Sequence, residues 1–442
     1  MEIAKRDVLC QICQHETSGG PSVFLGNCGH ILHLECLTDI FFQQCSEASS
    51  SWVFSCPVCE KKIENVEDLV LSQGPCPADP GSFLEALDSE NGFWARSGSH
   101  ESDARMRCRL TGLTRAVIDG GNFVFSVSQN LVVTCLNVEN GIVWNNFPAW
   151  RVQHFLLDMA VGGLCVMPAA FGDSCESSPM FRGKGPFLAV CSSSNSLSIL
   201  CLMTGVFVRH WKLELPGIML GLSLHPLKDP ESCVFIVNNS FSLLEMVISG
   251  DGENRSEMMF SDLLKNGTHR TIIYVLNFLV FAAPDKAGET SPKKALIVLP
   301  DYMEDTFRFF SLKNSQEGQP SVLLEIGGSD EKEHRKKPDR FFSKFLKQTL
   351  KDKVQGIALC NVDSSKAKIC CTTPRGNIFF FKWVFNKQSE NIFLRNSTRL
   401  PAGIDPINVC SVGSERIVVA DYSIDGNLVI LNPKDISQAT LL

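Results

Sequence analysis

Asn195-Ser-Leu-Ser-Ile-Leu-Cys-Leu-Met-Thr-Gly205 runs directly into Val206-Phe-Val-Arg-His-Trp211. A polar turn leads into a short apolar run, a second turn closes on glycine, and another apolar run follows. That pattern predicts two short strands joined by a tight connection. The unit also occurs as Asn130-Leu-Val-Val-Thr-Cys-Leu-Asn-Val-Glu-Asn-Gly141, followed by Ile142-Val-Trp144. Weaker copies begin near Ser240, Thr306, Gly376 and Gly426, the last reading Gly426-Asn-Leu-Val-Ile-Leu-Asn432. Most are preceded by a further apolar strand: Phe187–Cys191, Ala295–Leu299, Lys368–Cys371 and Arg416–Ala420.

Repetition of this kind is the grammar of a β-propeller blade, a four-stranded sheet stacked on its neighbours. Residues 108–442 number 335, about 56 for each of six units. That exceeds the roughly 40–45 residues of a WD repeat, so long inter-strand loops are implied. The resemblance to WD-repeat propellers is architectural, since no Trp-Asp pair ends any unit. The expectation is a mainly-β C-terminal domain over 108–442, a six- or seven-bladed β-propeller, in which Leu428–Leu431 contacts Phe123–Val127 to close the ring. A fragment beginning near Cys108 is expected to fold without metal. A β-sandwich, or two small β domains, is the rival arrangement.

Outside this region the composition sets bounds. Of 442 residues, 44% are hydrophobic and 20% charged, which excludes a mostly disordered chain. A net charge of -7 argues against a generally basic nucleic-acid binder, leaving nucleic acid an unlikely partner. Met1-Glu-Ile-Ala-Lys-Arg-Asp7 lacks the apolar core of a signal peptide. The longest apolar run, Thr271–Pro284, is too short for a spanning helix and reads as buried strand. The expected compartment is therefore cytosol or nucleus. Thiols stay reduced there, so nineteen cysteines point to metal ligation and small buried side chains.

Cys10-x-x-Cys13, Cys28-x-His30-x-x-His33-x-x-Cys36 and Cys56-Pro57-x-Cys59 place eight candidate ligands near the N-terminus. Zinc takes four sulfur or imidazole donors in a tetrahedron, so eight donors suit two closed structural sites. Each Cys-x-x-Cys turn can supply two sulfurs to one ion and needs two further ligands from elsewhere. His15 and Cys45 fall outside the pattern.

The order Cys, Cys, Cys, His, His, Cys, Cys, Cys resembles the two-histidine variant of the RING finger, over roughly residues 7–63. The resemblance implies two zinc ions in interleaved sites, Cys10, Cys13, His33 and Cys36 holding one and Cys28, His30, Cys56 and Cys59 the other. It also implies a short central helix over Leu34–Gln43. A shallow groove for a ubiquitin-conjugating enzyme would be formed by Ile12, Trp52 and Pro57; the alternative is that Ile12 and Trp52 are simply core. Two features depart from the family pattern. Nineteen residues, Leu37–Ser55, separate the sixth and seventh ligands. Glu60 follows the last ligand, where many active RING ligases carry a cation; Lys61 and Lys62 come next.

Between the two units, residues 66–107 read as a connector after a zinc domain at 1–65. Within it Phe83-Leu-Glu-Ala-Leu87 is read as a single helical turn, and Phe93-Trp94 as docking on a neighbour. Lys332–Lys353 is a basic insertion in which Phe342, Phe345, Leu346 and Leu350 share one face of a helix. It reads either as a docking helix for an acidic partner, nucleic acid or membrane, or as a loop helix packed on the propeller. There is no phosphate-binding loop, dinucleotide fingerprint or nucleophile elbow, so no catalytic residue and no small-molecule substrate are expected. The resulting expectation is a RING-type ubiquitin protein ligase that binds the charged conjugating enzyme and ubiquitin while the propeller recruits a protein substrate. The alternative is a non-catalytic scaffold in a multiprotein complex, such as one in membrane trafficking.

Overall fold

In a computed structural model the chain is mainly β. The described residues are the strands, the helix Phe83–Leu87, parts of a second helical stretch at 36–40, and their shorter connections between Leu9 and Leu441. Residues 1–8, 17–21, 38–39, 41–53, 64–68, 73–81, 89–93, 97–109, 147–160, 168–185, 227–233, 259–277 and 327–355, with shorter loop stretches, lie outside them. Trp52 and the basic segment 332–353 therefore fall outside the described residues. Of the expected central helix, Cys36, Leu37 and Ile40 are described, and all three are helical.

The N-terminal part is small. β1 (Ser22–Leu25) pairs antiparallel with β2 (His30–His33), and the short ladder of β3 (Phe54–Ser55) and β4 (Lys62–Ile63) stands separately. β5 (Leu69–Ser72), within the stretch read as connector, adds to the other edge of β1. Val23, Leu25 and Leu32 are fully buried, a small core suited to a domain stabilised by metal.

The connector also contributes to the sheets that follow. α1 (Phe83–Leu87) begins with a capping box, in which the Ser82 hydroxyl accepts from the Glu85 N–H and the Glu85 carboxylate accepts from the Ser82 N–H. Five residues cannot sustain a helix by propensity alone. Its anchorage is tertiary: Phe83 and Leu87 are buried among Phe123, Phe125, Trp144, Leu188 and Leu202. β6 (Trp94–Arg96) then pairs with the outer strand of the first large sheet, whose remaining members are β7 (Leu110–Ile118), β8 (Gly121–Ser128), β9 (Val133–Asn137) and β10 (Val143–Asn146).

Five four-stranded sheets follow, each an antiparallel meander in sequence order. The second holds β11 (Val161–Met167), β12 (Phe187–Ser192), β13 (Ser196–Cys201) and β14 (Phe207–Lys212). The third holds β15 (Met219–Leu224), β16 (Val234–Asn239), β17 (Ser242–Ile248) and β18 (Asn254–Met258). The fourth holds β19 (Leu279–Ala283), β20 (Lys294–Asp301), β21 (Thr306–Lys313) and β22 (Ser321–Ile326). The fifth holds β23 (Gly356–Val362), β24 (Lys366–Thr372), β25 (Asn377–Phe385) and β26 (Glu390–Arg399). The sixth holds β27 (Pro406–Val412), β28 (Arg416–Asp421), β29 (Leu428–Asn432) and β30 (Asp435–Leu441). The apolar run at 271–284 supplies β19.

Several neighbouring sheets pack face to face. Phe187, Ile199 and Trp211 of the second share a core with Phe235, Val237 and Met246 of the third. Cys370, Ile378 and Phe380 of the fifth share one with Val409, Ile417 and Val429 of the sixth. The sixth sheet also packs on the first: Val124, Leu136 and Val138 lie among Val412, Val418 and Leu428. Arg416 Nη1 donates to the Val138 carbonyl at 2.6 Å across that same junction.

The first strands of the sheets approach one another most closely. A Cβ on Gly163 of β11 would lie 2.9 Å from the Gly221 Cα of β15, and one on Gly356 of β23 would lie 2.9 Å from the Asn408 Cα of β27. Both obstacles are backbone, so only glycine fits. β-Bulges occur in β7, β11, β15, β23 and β27, where they bend and twist each first strand.

Candidate metal centre

The two Cys-x-x-Cys turns are built alike. Cys10 N–H donates to the His15 carbonyl and Gln14 N–H to the Cys10 carbonyl, both at 2.8 Å. In the second turn Cys56 N–H donates to the Lys61 carbonyl at 2.9 Å and Glu60 N–H to the Cys56 carbonyl at 2.8 Å. The residue after each second cysteine adopts a left-handed backbone, φ +62° at Gln14 and +60° at Glu60. That conformation is unfavourable for a residue carrying a Cβ, and it turns both sulfurs of the pair to one side.

The structure brings the eight residues together as two groups of four. Cys10, Cys13, His33 and Cys36 form one and Cys28, His30, Cys56 and Cys59 the other, with all donor atoms of a group within 4.8 Å of one another. Cys13 Sγ lies 3.2 Å from His33 Nδ1; Cys28 Sγ and Cys56 Sγ lie 3.2 and 3.4 Å from His30 Nδ1. Donors about 2.0–2.3 Å from a central tetrahedral ion stand roughly 3.3–3.8 Å apart, so the spacing fits zinc. β2 carries a ligand at each end, His30 for one group and His33 for the other, and thereby joins the sites.

The protein's own groups prepare the donors. His33 Nε2 lies 2.9 Å from the Glu16 carbonyl. A carbonyl only accepts, so Nε2 carries the proton and Nδ1 is left with its lone pair toward the sulfurs. His33 N–H donates to Cys10 Sγ at 3.2 Å and Val58 N–H to Cys56 Sγ at 3.4 Å. Burial pushes the Cys10 thiol up, but backbone N–H groups of Cys13, His33 and Ile12 outweigh it and bring it down to about 6. Burial, reinforced by neighbouring sulfurs, pushes Cys36 up to about 12 and, against opposing backbone N–H groups, Cys56 to about 11. Further thiolates beside the first are thus disfavoured unless a cation sits among them.

Around the sites, Ile12 is 37% and Val58 40% exposed, while Pro57 is half-buried. Val58 escaped the sequence reading; it sits between the ligands of a Cys-x-x-Cys turn, where side chains point away from the metal. Lys61 Nζ donates to the Asn27 carbonyl, which holds it along the second group. In the sheets, Cys135, Cys191 and Cys201 are buried among apolar side chains, the role their unpaired spacing suggests.

No protein-family model matches the chain, and no curated protein matches it. Among solved structures it is similar to the β-propeller domain of Cps50 (Swd1) from Myceliophteria thermophila. The identity is 10% over 73% of this chain and 96% of that one, with a TM-score of 0.41. Among the described residues no helix is long and apolar enough to cross a membrane.

Proposed function

We propose that this chain is a RING-type ubiquitin ligase made of a two-zinc module, about residues 9–72, and a six-bladed propeller, about residues 82–441. The observation that carries the reading is the interleaved pairing of ligands. The first Cys-x-x-Cys closes with His33 and Cys36, the second with Cys28 and His30, and neither group is made from consecutive ligands. Zinc supplies structural cross-links there. Ile12 beside one group and Pro57 and Val58 beside the other offer an apolar surface suited to a ubiquitin-conjugating enzyme. Such a ligase acts by proximity and orientation, holding charged ubiquitin for attack by a substrate lysine, so no cysteine of this chain carries the ubiquitin. Packing of the sixth sheet on the first supports ring closure, and the ring would present a protein substrate in the cytosol or nucleus.

Glu60 favours the second reading, a non-catalytic scaffold, because it places an anion where a donor-bridging cation is frequent. An in vitro ubiquitination assay with a panel of conjugating enzymes separates the two: chain formation that needs Ile12 supports the ligase, and inertness with every enzyme supports the scaffold.

A further inference from the structure

We propose that Cys360 and Cys370 form a hydroperoxide-responsive dithiol at the seam between the fifth and sixth sheets. Ala358 of β23 lies opposite Cys370 of β24, and a bulge between Leu359 and Asn361 leaves Cys360 as the extra residue. Cys360 is half-buried beside the core formed by Ala358, Cys370, Phe380 and Val409, whereas Cys370, Cys371 and Cys410 are buried. The Cys370 thiol and the Ser411 hydroxyl both hydrogen-bond the Cys360 sulfur, with Lys368 and Arg115 near enough to act on its charge. Arg115 is anchored from the first sheet, its Nη1 donating to the Ser411 carbonyl at 2.5 Å. Lys368 lies over the Phe380 ring, 5.2 Å from its centroid. Three sheets thus converge on one half-buried cysteine. The Cys370 hydrogen bond, with help from Ser411 and the two cations, holds the Cys360 thiol below its ordinary range, while the same bond and burial hold Cys370 well above its own. Cys360 is thus the more readily ionised of the two sulfurs and Cys370 the less readily ionised neighbour, the order a peroxidatic and a resolving cysteine require.

The chemistry balances with a hydroperoxide as oxidant. The Cys360 thiolate attacks one peroxide oxygen, the O–O bond breaks, and the departing hydroxide takes a proton to leave as water. Cys360 becomes a sulfenic acid. The Cys370 sulfur then attacks the Cys360 sulfur, the S–O bond breaks, and hydroxide leaves with the Cys370 proton as a second water. Two electrons pass from the sulfur pair to the peroxide, and an external dithiol returns them. Bonding requires the sulfurs to approach to about 2 Å, and the bulge is where β23 can yield.

The test uses the full zinc-loaded chain exposed to hydrogen peroxide, with site-resolved mass spectrometry and a sulfenic-acid trap. The expected products are a Cys360–Cys370 disulfide in the native sequence and a trapped sulfenic acid at Cys360 in Cys370→Ser. Cys135 and Cys191, buried in other cores, serve as internal controls that stay unmodified. Lys368→Met, at an exposed position, is expected to slow oxidation up to about tenfold for each unit that the thiol pKa rises. Because the native chain alone gives the first readout, misfolding of a variant leaves the test intact. Oxidation of Cys360 no faster than Cys135, or a Cys360 adduct in the native chain without the Cys370 disulfide, overturns the proposal.

Discussion

Phe83 meets Phe123 edge to face, with ring centroids 5.0 Å apart and planes at 83°. The contact ties a residue read as linker into the core of the first large sheet. Phe83 also lies 6.5 Å from Trp94 in a second edge-to-face pair, and its N–H donates to Asp119 Oδ2 at 2.7 Å. Trp94 Nε1 in turn donates to the Leu202 carbonyl of the second sheet at 3.0 Å. A fragment starting at Cys108 lacks all of this. It is expected to aggregate or unfold, whereas one starting near Ser82 should fold without zinc. Phe83→Ala in the full chain should cost roughly 3–5 kcal/mol in chemical denaturation of the β region. Equal stability of the two fragments would contradict this account.

Packing of the sixth sheet on the first makes a second prediction. Leu428 and Val418 from the sixth sheet share a core with Val124 from the first. Leu428→Ala should therefore destabilise the first sheet as well, by roughly 2–5 kcal/mol. Hydrogen exchange is the suitable measurement: amides of β8 and β28 should lose protection together. Loss confined to β27–β30 would mean that the sixth sheet is an independent flap.

The sequence made the middle of each sheet legible and left its inner edge obscure. All six segments picked out by turn and strand pattern, near Asn130, Asn195, Ser240, Thr306, Gly376 and Gly426, supply the third strand of a sheet: β9, β13, β17, β21, β25 and β29. These strands are bounded by turn residues on both sides, so local chemistry marks them. First strands are marked by glycines pressed against a neighbouring sheet's backbone, as at Gly163 beside the bulge of β11 and at Gly356 at the start of β23. No window of one strand contains that information. The five-stranded first sheet was hidden for a similar reason, because three residues around Trp94 are too few to carry a period. The ligand groups were the opposite case. Cysteine and histidine spacing is itself the chemical signal, and the donors lie grouped as the family resemblance implied.

Metal content is the third measurable consequence. Two zinc ions per chain are expected by elemental analysis, and Cys28→Ala or His33→Ala should unfold the N-terminal module while leaving the sheets folded. Small zinc domains derive roughly 10–16 kcal/mol of apparent binding free energy from the metal. Thiolates and neutral imidazoles are the ligands, so protons compete with the metal and affinity must fall as pH falls. Zinc release to a chromogenic chelator should rise from pH 7 toward pH 5. A chain holding one ion or none would remove the interleaved reading.

Glu60 offers the sharpest separation of ligase from scaffold, because its backbone and its charge can be changed independently. At φ +60° any residue with a Cβ carries strain of about 1–2 kcal/mol. Glu60→Gly should therefore stabilise the zinc module by about that amount, with no cation gained. Glu60→Arg keeps the strain and reverses the charge. In the ligase reading Glu60→Arg raises the rate of chain formation and Glu60→Gly leaves it nearly unchanged; in the scaffold reading neither variant produces chain formation. Ile12→Ala completes the comparison. A side chain this exposed contributes little to folding, so the variant should keep both zinc ions and its melting temperature yet lose most chain-forming activity. Zinc content and activity must be read in the same sample. Retained zinc with lost activity marks Ile12 as a partner-binding residue. Zinc lost together with activity marks it as core, and inertness of the native chain and of Glu60→Arg with every conjugating enzyme rules the ligase out.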